Sequence, residues 1–136
     1  MPDWIAVRAP AEGHEATNRA PFDPATTDAL VRAARTVRPG PSRGSARAHH
    51  SIYVVLLELA SGDYGLYVGL TGRDPEERFR NHKAGHKDSK WVRRYGIGLL
   101  PALYRHLTSI SYADAAIAEV ALADSLRRTG IFVRQA

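Results

Sequence analysis

Ser51 to Leu59 reads Ser-Ile-Tyr-Val-Val-Leu-Leu-Glu-Leu, and no other stretch constrains the fold as much. A run that is β-branched and apolar at its start is expected as a central strand buried on both faces. Ser61-Gly62-Asp63 follows with turn residues, and Gly65-Leu-Tyr-Val-Gly69 returns as a second strand. Together they predict a hairpin at the heart of a small sheet. Ile52 to Leu57 is also the longest uninterrupted apolar run, far too short to cross a bilayer, so no membrane association is expected.

Helix signals follow the hairpin. Asp74 can cap, Pro75 suits a first helical position and Glu77 completes a reciprocal cap, so a helix is expected to about Ala84, ended by Gly85. A shorter helix is expected from about Ser89 to Tyr95, stopped by Gly96. Leu99 to Leu107 suggests a third strand, with Pro101 at its start or at a sheet edge. Ser111 and Asp114 open a last helix that continues to about Arg128 and stops at Gly130. Ile131, Phe132 and Val133 read as a terminal strand. Helices do not alternate with strands as parallel crossovers would require. The expected class is α+β, a small three-stranded antiparallel sheet flanked by helices.

The text before residue 48 is different. It holds six of the eight prolines and few large apolar side chains, and Arg38-Pro-Gly-Pro-Ser-Arg-Gly-Ser45 reads as a linker. One short helix is plausible there, with Asp23-Pro24 as its start and Leu30, Val31, Ala34 and Val37 at helical spacing. Residues 1–48 are thus expected to form a Pro- and Arg-rich arm, partly ordered, and residues 49–136 the folded domain.

Composition narrows the function classes. The chain has 136 residues and no cysteine, which excludes disulfides and thiolate zinc sites and makes the cytoplasm the expected compartment. No signal peptide is visible at the N-terminus. The formal charge is +5, which favours a polyanionic partner only weakly by itself. Its distribution says more: between Arg73 and Arg94 eight Lys or Arg stand against four acids, three of them at the start of that segment. Arg73, Lys83, Lys87, Lys90, Arg93 and Arg94 are candidates for contact with nucleic-acid phosphates. Trp91 and Tyr95, four apart in that basic run, either stack on bases or anchor the short helix to the core.

Five residues carry potential chemistry. Tyr53 and Tyr67 fall in the two strands of one hairpin. Arg78 and His82, four apart, share a helix face. Glu119 has Ala115, Ala116, Leu122 and Ala123 at its helical neighbours, and a carboxylate on an apolar face is costly unless something pairs with it.

These residues, in this order, resemble the GIY-YIG nuclease family. Ser51-Ile52-Tyr53 stands for its first motif and Tyr67-Val68-Gly69 for its second. The family's arginine matches Arg78, the residue one turn later His82, and the glutamate of the late helix Glu119. Leu70 to Pro75 and Lys83-Ala84-Gly85 are also typical of bacterial members. The likeness covers roughly residues 50 to 130 and departs in two places. Ser51 replaces the first glycine, and the late asparagine has no counterpart after Gly130.

The resemblance implies an endonuclease that hydrolyses phosphodiester bonds, in DNA rather than RNA. It makes Tyr53 the general base, Arg78 the stabiliser of transition-state charge, His82 a relay for the tyrosine's proton and Tyr67 the residue that orients the water or phosphate. Glu119 would be the ligand of one Mg²⁺ or Mn²⁺ ion. The alternative is the same fold holding nucleic acid without cutting it. A protein-interaction scaffold is a third reading, and the sequence leaves the oligomeric state open.

Overall fold

The computed structural model describes residues 21–85 and 89–136, together with the backbone of residues 7–8. Lys87 and His86 lie outside the described residues. The elements in chain order are β1 (Val7–Arg8), α1 (Pro24–Arg35), β2 (Ser51–Glu58), β3 (Tyr64–Thr71), α2 (Pro75–Lys83), α3 (Lys90–Tyr95), β4 (Gly96–Leu99), α4 (Tyr112–Arg127) and β5 (Phe132–Gln135). Among the described residues no helix is long and apolar enough to cross a membrane.

The hairpin forms as expected, with Tyr53 opposite Gly69 and Val55 opposite Tyr67. Ser51 through Leu57 are all buried, so this pair has cover on both faces. The side chains of Tyr53 and Val55 face α2 and α3: Tyr53 bonds His82, and Val55 and Val92 both crowd the space over Gly96. Helix α4 covers β2, β3 and β5 from the opposite face, and α1 packs on α4.

The fold is α+β, but the expectation of three antiparallel strands is corrected. Five strands form one mixed sheet in the order β1-β4-β2-β3-β5, the first contributing only two residues. β5 lies parallel to β3, with Tyr67 beside Arg134 and Val68 beside Gln135. The strand expected over Leu99–Leu107 is displaced toward the N-terminus. β4 is Gly96–Leu99, and the chain then folds into two 3-10 turns, Pro101–Leu103 and Arg105–Leu107. Close packing explains the shift. A Cβ at Gly96 would lie 2.5 Å from the Val92 carbonyl oxygen, so glycine lets the strand run directly under α3. Pro101, lacking an N–H, then ends the ladder.

The caps follow the sequence closely. The Asp23 carboxylate accepts from Thr26 N–H, Asp74 from Glu76 N–H at 2.8 Å and the Ser111 hydroxyl from Asp114 N–H at 3.0 Å. Glu77 does not reach back to the cap. It forms a surface ion pair with Arg73 at 2.9 Å instead. The short helix expected in the arm is α1, and it contributes Leu30 and Ala34 to the core. The stretch read as a linker is tied down as well: Ser42 donates through its hydroxyl and its backbone N–H to Asp114, at the start of α4.

Candidate active site

Tyr53 projects from the middle of the central strand and is only 2% exposed. Its hydroxyl lies 2.9 Å from Nε2 of His82 on α2. The other ring nitrogen, Nδ1, accepts from the backbone N–H of Ser89 at 2.8 Å. Because an N–H can only donate, Nδ1 must be unprotonated, and the proton of the neutral ring sits on Nε2. His82 therefore donates to the Tyr53 oxygen. The backbone N–H of Ser89, just before α3, fixes that direction.

Tyr67 completes a cluster of three rings. Its centroid lies 6.2 Å from that of Tyr53 and 6.2 Å from that of His82. Arg78, one turn before His82 on α2, acts on the Tyr53 hydroxyl by charge and by a hydrogen bond. The sharing of one helix face by Arg78 and His82, expected from their spacing, brings both to the same oxygen. Burial nevertheless raises the Tyr53 pKa well above the usual tyrosine range. Tyr67 and Glu119 push the same way, and Arg78 opposes them only in part.

Gly69 explains the glycine of the second motif. A Cβ there would stand 2.5 Å from both Cζ and Oη of Tyr53, so the tyrosine ring lies directly across the facing strand. Only glycine leaves that room. Ser51, by contrast, has no positive φ and sits in ordinary extended backbone. Its hydroxyl accepts from Ser109 N–H, and the position has no need of glycine.

Glu119 approaches from α4. β5 ends beside Val68, so the edge of β3 at Gly69–Leu70 is left uncovered, and Glu119 comes to that edge. It is 8% exposed, and burial raises its pKa. The Gln135 amide, 3.2 Å from Oε1, and the Leu70 N–H favour the charged form and oppose that shift; neither is itself charged. Gln135 was not among the residues singled out in the sequence. It stands two residues beyond Val133, and strand alternation puts both on the α4 side.

The basic candidates separate. Lys83 donates to the carbonyls of Arg93 and Gly96, both at 2.9 Å, and so ties α2 to the end of α3. Arg73 is paired to Glu77, the Arg93 guanidinium lies close to Gly85, and Arg94 stacks on Tyr95 at 5.3 Å. Lys90 is exposed at the first turn of α3. His50, at the strand entrance, forms an isolated bridge with Ile110 and stays outside the ring cluster.

Four of the residues expected to act together, His82, Arg78, Tyr67 and Glu119, thus influence the hydroxyl of the fifth, Tyr53. No group of three or more His, Cys, Asp or Glu able to hold a metal occurs among the described residues. Compared with family models, curated proteins and solved structures, the chain matches none.

Proposed function

We propose that this protein is a metal-dependent endonuclease of the GIY-YIG type, hydrolysing phosphodiester bonds in nucleic acid, and in DNA in preference to RNA. One observation carries the reading: the Tyr53 hydroxyl receives the Nε2–H of His82 while Arg78, Tyr67 and Glu119 act on the same oxygen. A core tyrosine with a purely packing role needs one hydrogen-bond partner, and this one has both His82 and Arg78.

The chemistry follows from those contacts. Arg78, half-buried, grips the phosphate through its planar fork of donors and stabilises charge that grows in the transition state. Tyr53 first gives up its own proton to solvent and then, as the phenolate, accepts the proton of the attacking water. The Nε2–H of His82 and the guanidinium of Arg78 stabilise the phenolate this requires. With Nδ1 held by Ser89, His82 serves as a donor rather than as the acceptor of the Tyr53 proton. Tyr67 packs beside both and fixes the ring positions.

Glu119 fits a single divalent ion. Its carboxylate is buried at a penalty that no nearby cation of the chain relieves among the groups acting on it. Sparse ligation, with water and phosphate oxygens completing the shell, suits Mg²⁺ or Mn²⁺. Bound there, the ion supplies Lewis-acid stabilisation of the leaving oxygen. Gln135 and the Leu70 N–H hold the carboxylate in place.

The raised Tyr53 pKa favours a second reading, a domain that holds nucleic acid without cutting it. One assay separates the two: single- and double-stranded DNA and RNA incubated with Mg²⁺, Mn²⁺ or EDTA. Cleavage is expected with either metal and none in EDTA. Cutting that persists in EDTA would overturn the metal role. Salt-sensitive binding with no cleavage under any condition would establish the second reading.

Gly69→Ala tests the geometry. The new Cβ displaces the Tyr53 hydroxyl from His82, and a misplacement near 1 Å is expected to slow cleavage about 100-fold. Steady-state cleavage of a labelled oligonucleotide reads the loss, and an unchanged rate would show that the Tyr53 position is irrelevant to it.

A further inference from the structure

Beside the ring cluster lies a second group of aromatic and cationic side chains that the proposed reaction does not use. Trp91 of α3 packs against Phe132 of β5, centroids 5.4 Å apart and planes tilted by 36°. Tyr95 lies 5.5 Å from Trp91 on α3, and the Arg134 guanidinium sits 5.3 Å over the indole. Phe132 is 43% exposed and Arg134 is exposed, so the group opens to solvent.

Charge and position give it direction. Residues 89–113 and 125–136, which supply the whole cluster, contain no Asp or Glu. Lys90, Arg94 and Arg134 therefore face outward with no acid from their own segments. Arg134 is the register neighbour of Tyr67, and Phe132 that of Gly65. From Tyr53 to Phe132 is two strand spacings across and four residues along, roughly 16 Å from standard sheet dimensions. That distance matches about five stacked nucleotides at 3.4 Å each. Beyond Phe132 the surface opens into a cavity of about 450 Å³ walled by Phe22, Leu59, Asp63, Tyr64 and Ile131.

We propose that Phe132, Trp91 and Arg134 form a stacking track for unpaired nucleotides, leading away from Tyr67 along the β5 edge. This rests on the phosphodiester-hydrolase reading and assigns its substrate class: single-stranded nucleic acid, or the unpaired flank of a duplex. The exposed Phe132 ring accepts the face of any base with the Trp91 indole packed behind it, a planar guanidinium continues the stack, and the exposed Lys90, Arg94 and Arg134 accept the phosphates. A duplex keeps its base faces inside and gains only the charge.

The test uses binding without metal, so that cleavage plays no part. Trp91 and Trp4 are the two tryptophans, and Trp4→Phe leaves Trp91 as the reporter. Titration with an eight-nucleotide oligo(dT) in EDTA is expected to quench Trp91 fluorescence saturably. An abasic oligomer of equal charge is expected to bind at least about 10-fold more weakly, as is the Phe132→Ala variant toward oligo(dT). Arg134→Lys keeps the charge and loses the plane; it is expected to fall between wild type and Arg134→Ala. Both Arg134 changes are at an exposed side chain, and circular dichroism checks the fold of each variant. Equal affinity for abasic and base-bearing oligomers, preference for duplex, or no binding at all would overturn the track. Failure of the parent reading looks different: base-dependent binding with no cleavage in any metal leaves the track and removes the nuclease.

Discussion

Replacing Tyr53 with phenylalanine is expected to slow cleavage by about 1000-fold, in the middle of the range for removal of a positioned general base. The change deletes one oxygen and keeps the ring that lies across Gly69, so the sheet geometry survives. It also strands the Nε2–H of His82, which is 1% exposed and held on its other side by Ser89. A buried donor left without a partner costs about 1–3 kcal/mol, so denaturant unfolding should show a loss of that size together with the kinetic defect. The wild-type pH profile gives an independent check. Burial holds the Tyr53 pKa above its ordinary range, so the phenolate is scarce at neutral pH. Log kcat/KM is expected to rise with pH and not to level off below about pH 9. A plateau reached near pH 7 would assign the base to another group, as would a Phe variant that cuts at the wild-type rate.

Much of the fold and the candidate site was legible because local chemistry wrote it. The hairpin needed only the apolar run, the Ser61-Gly62-Asp63 turn and the return strand, and its register then placed Tyr53 opposite Gly69. Asp74 and Ser111 marked the starts of α2 and α4 through short side-chain caps, which are sequence-local by nature. Arg78 and His82 shared a face for the same reason. What was illegible depends on contacts between distant segments. β4 has two glycines in four residues and lacks strand-like composition; it is a strand because it pairs with β2, and Val92 of α3 leaves room only for glycine at position 96. β5 pairs in parallel with β3 after the chain has travelled through α4, and no short-range signal encodes that partner. The same gap hid Gln135, whose meeting with Glu119 depends on where β5 ends. It also hid the tautomer of His82, which depends on the backbone N–H of Ser89, seven residues away at the start of α3.

Glu119→Gln should separate a catalytic carboxylate from a structural one, because its two effects have opposite signs. If Glu119 holds the divalent ion, the substitution is expected to lower cleavage in Mg²⁺ by about 1000-fold, equivalent to losing several kcal/mol of transition-state stabilisation. Glutamine retains an oxygen that accepts from Gln135 and from Leu70, so the local packing is kept. Stability without metal should move the other way. Burial raises the Glu119 pKa in the folded state, which means the folded protein binds that proton more tightly than the unfolded chain does. Stability is therefore lost as pH climbs from the ordinary carboxylate range through the raised value, and at neutral pH the charged group is a liability. The glutamine variant should melt at a higher temperature than wild type in EDTA at pH 7, with the gain shrinking toward pH 4. Adding Mg²⁺ should then raise the melting point of the wild type and leave the variant unmoved, since only a protein that binds the ion in its folded state gains from it. A variant that melts lower than wild type at neutral pH in EDTA, and cuts as fast in Mg²⁺, would reduce Glu119 to a helix residue bonded to Gln135.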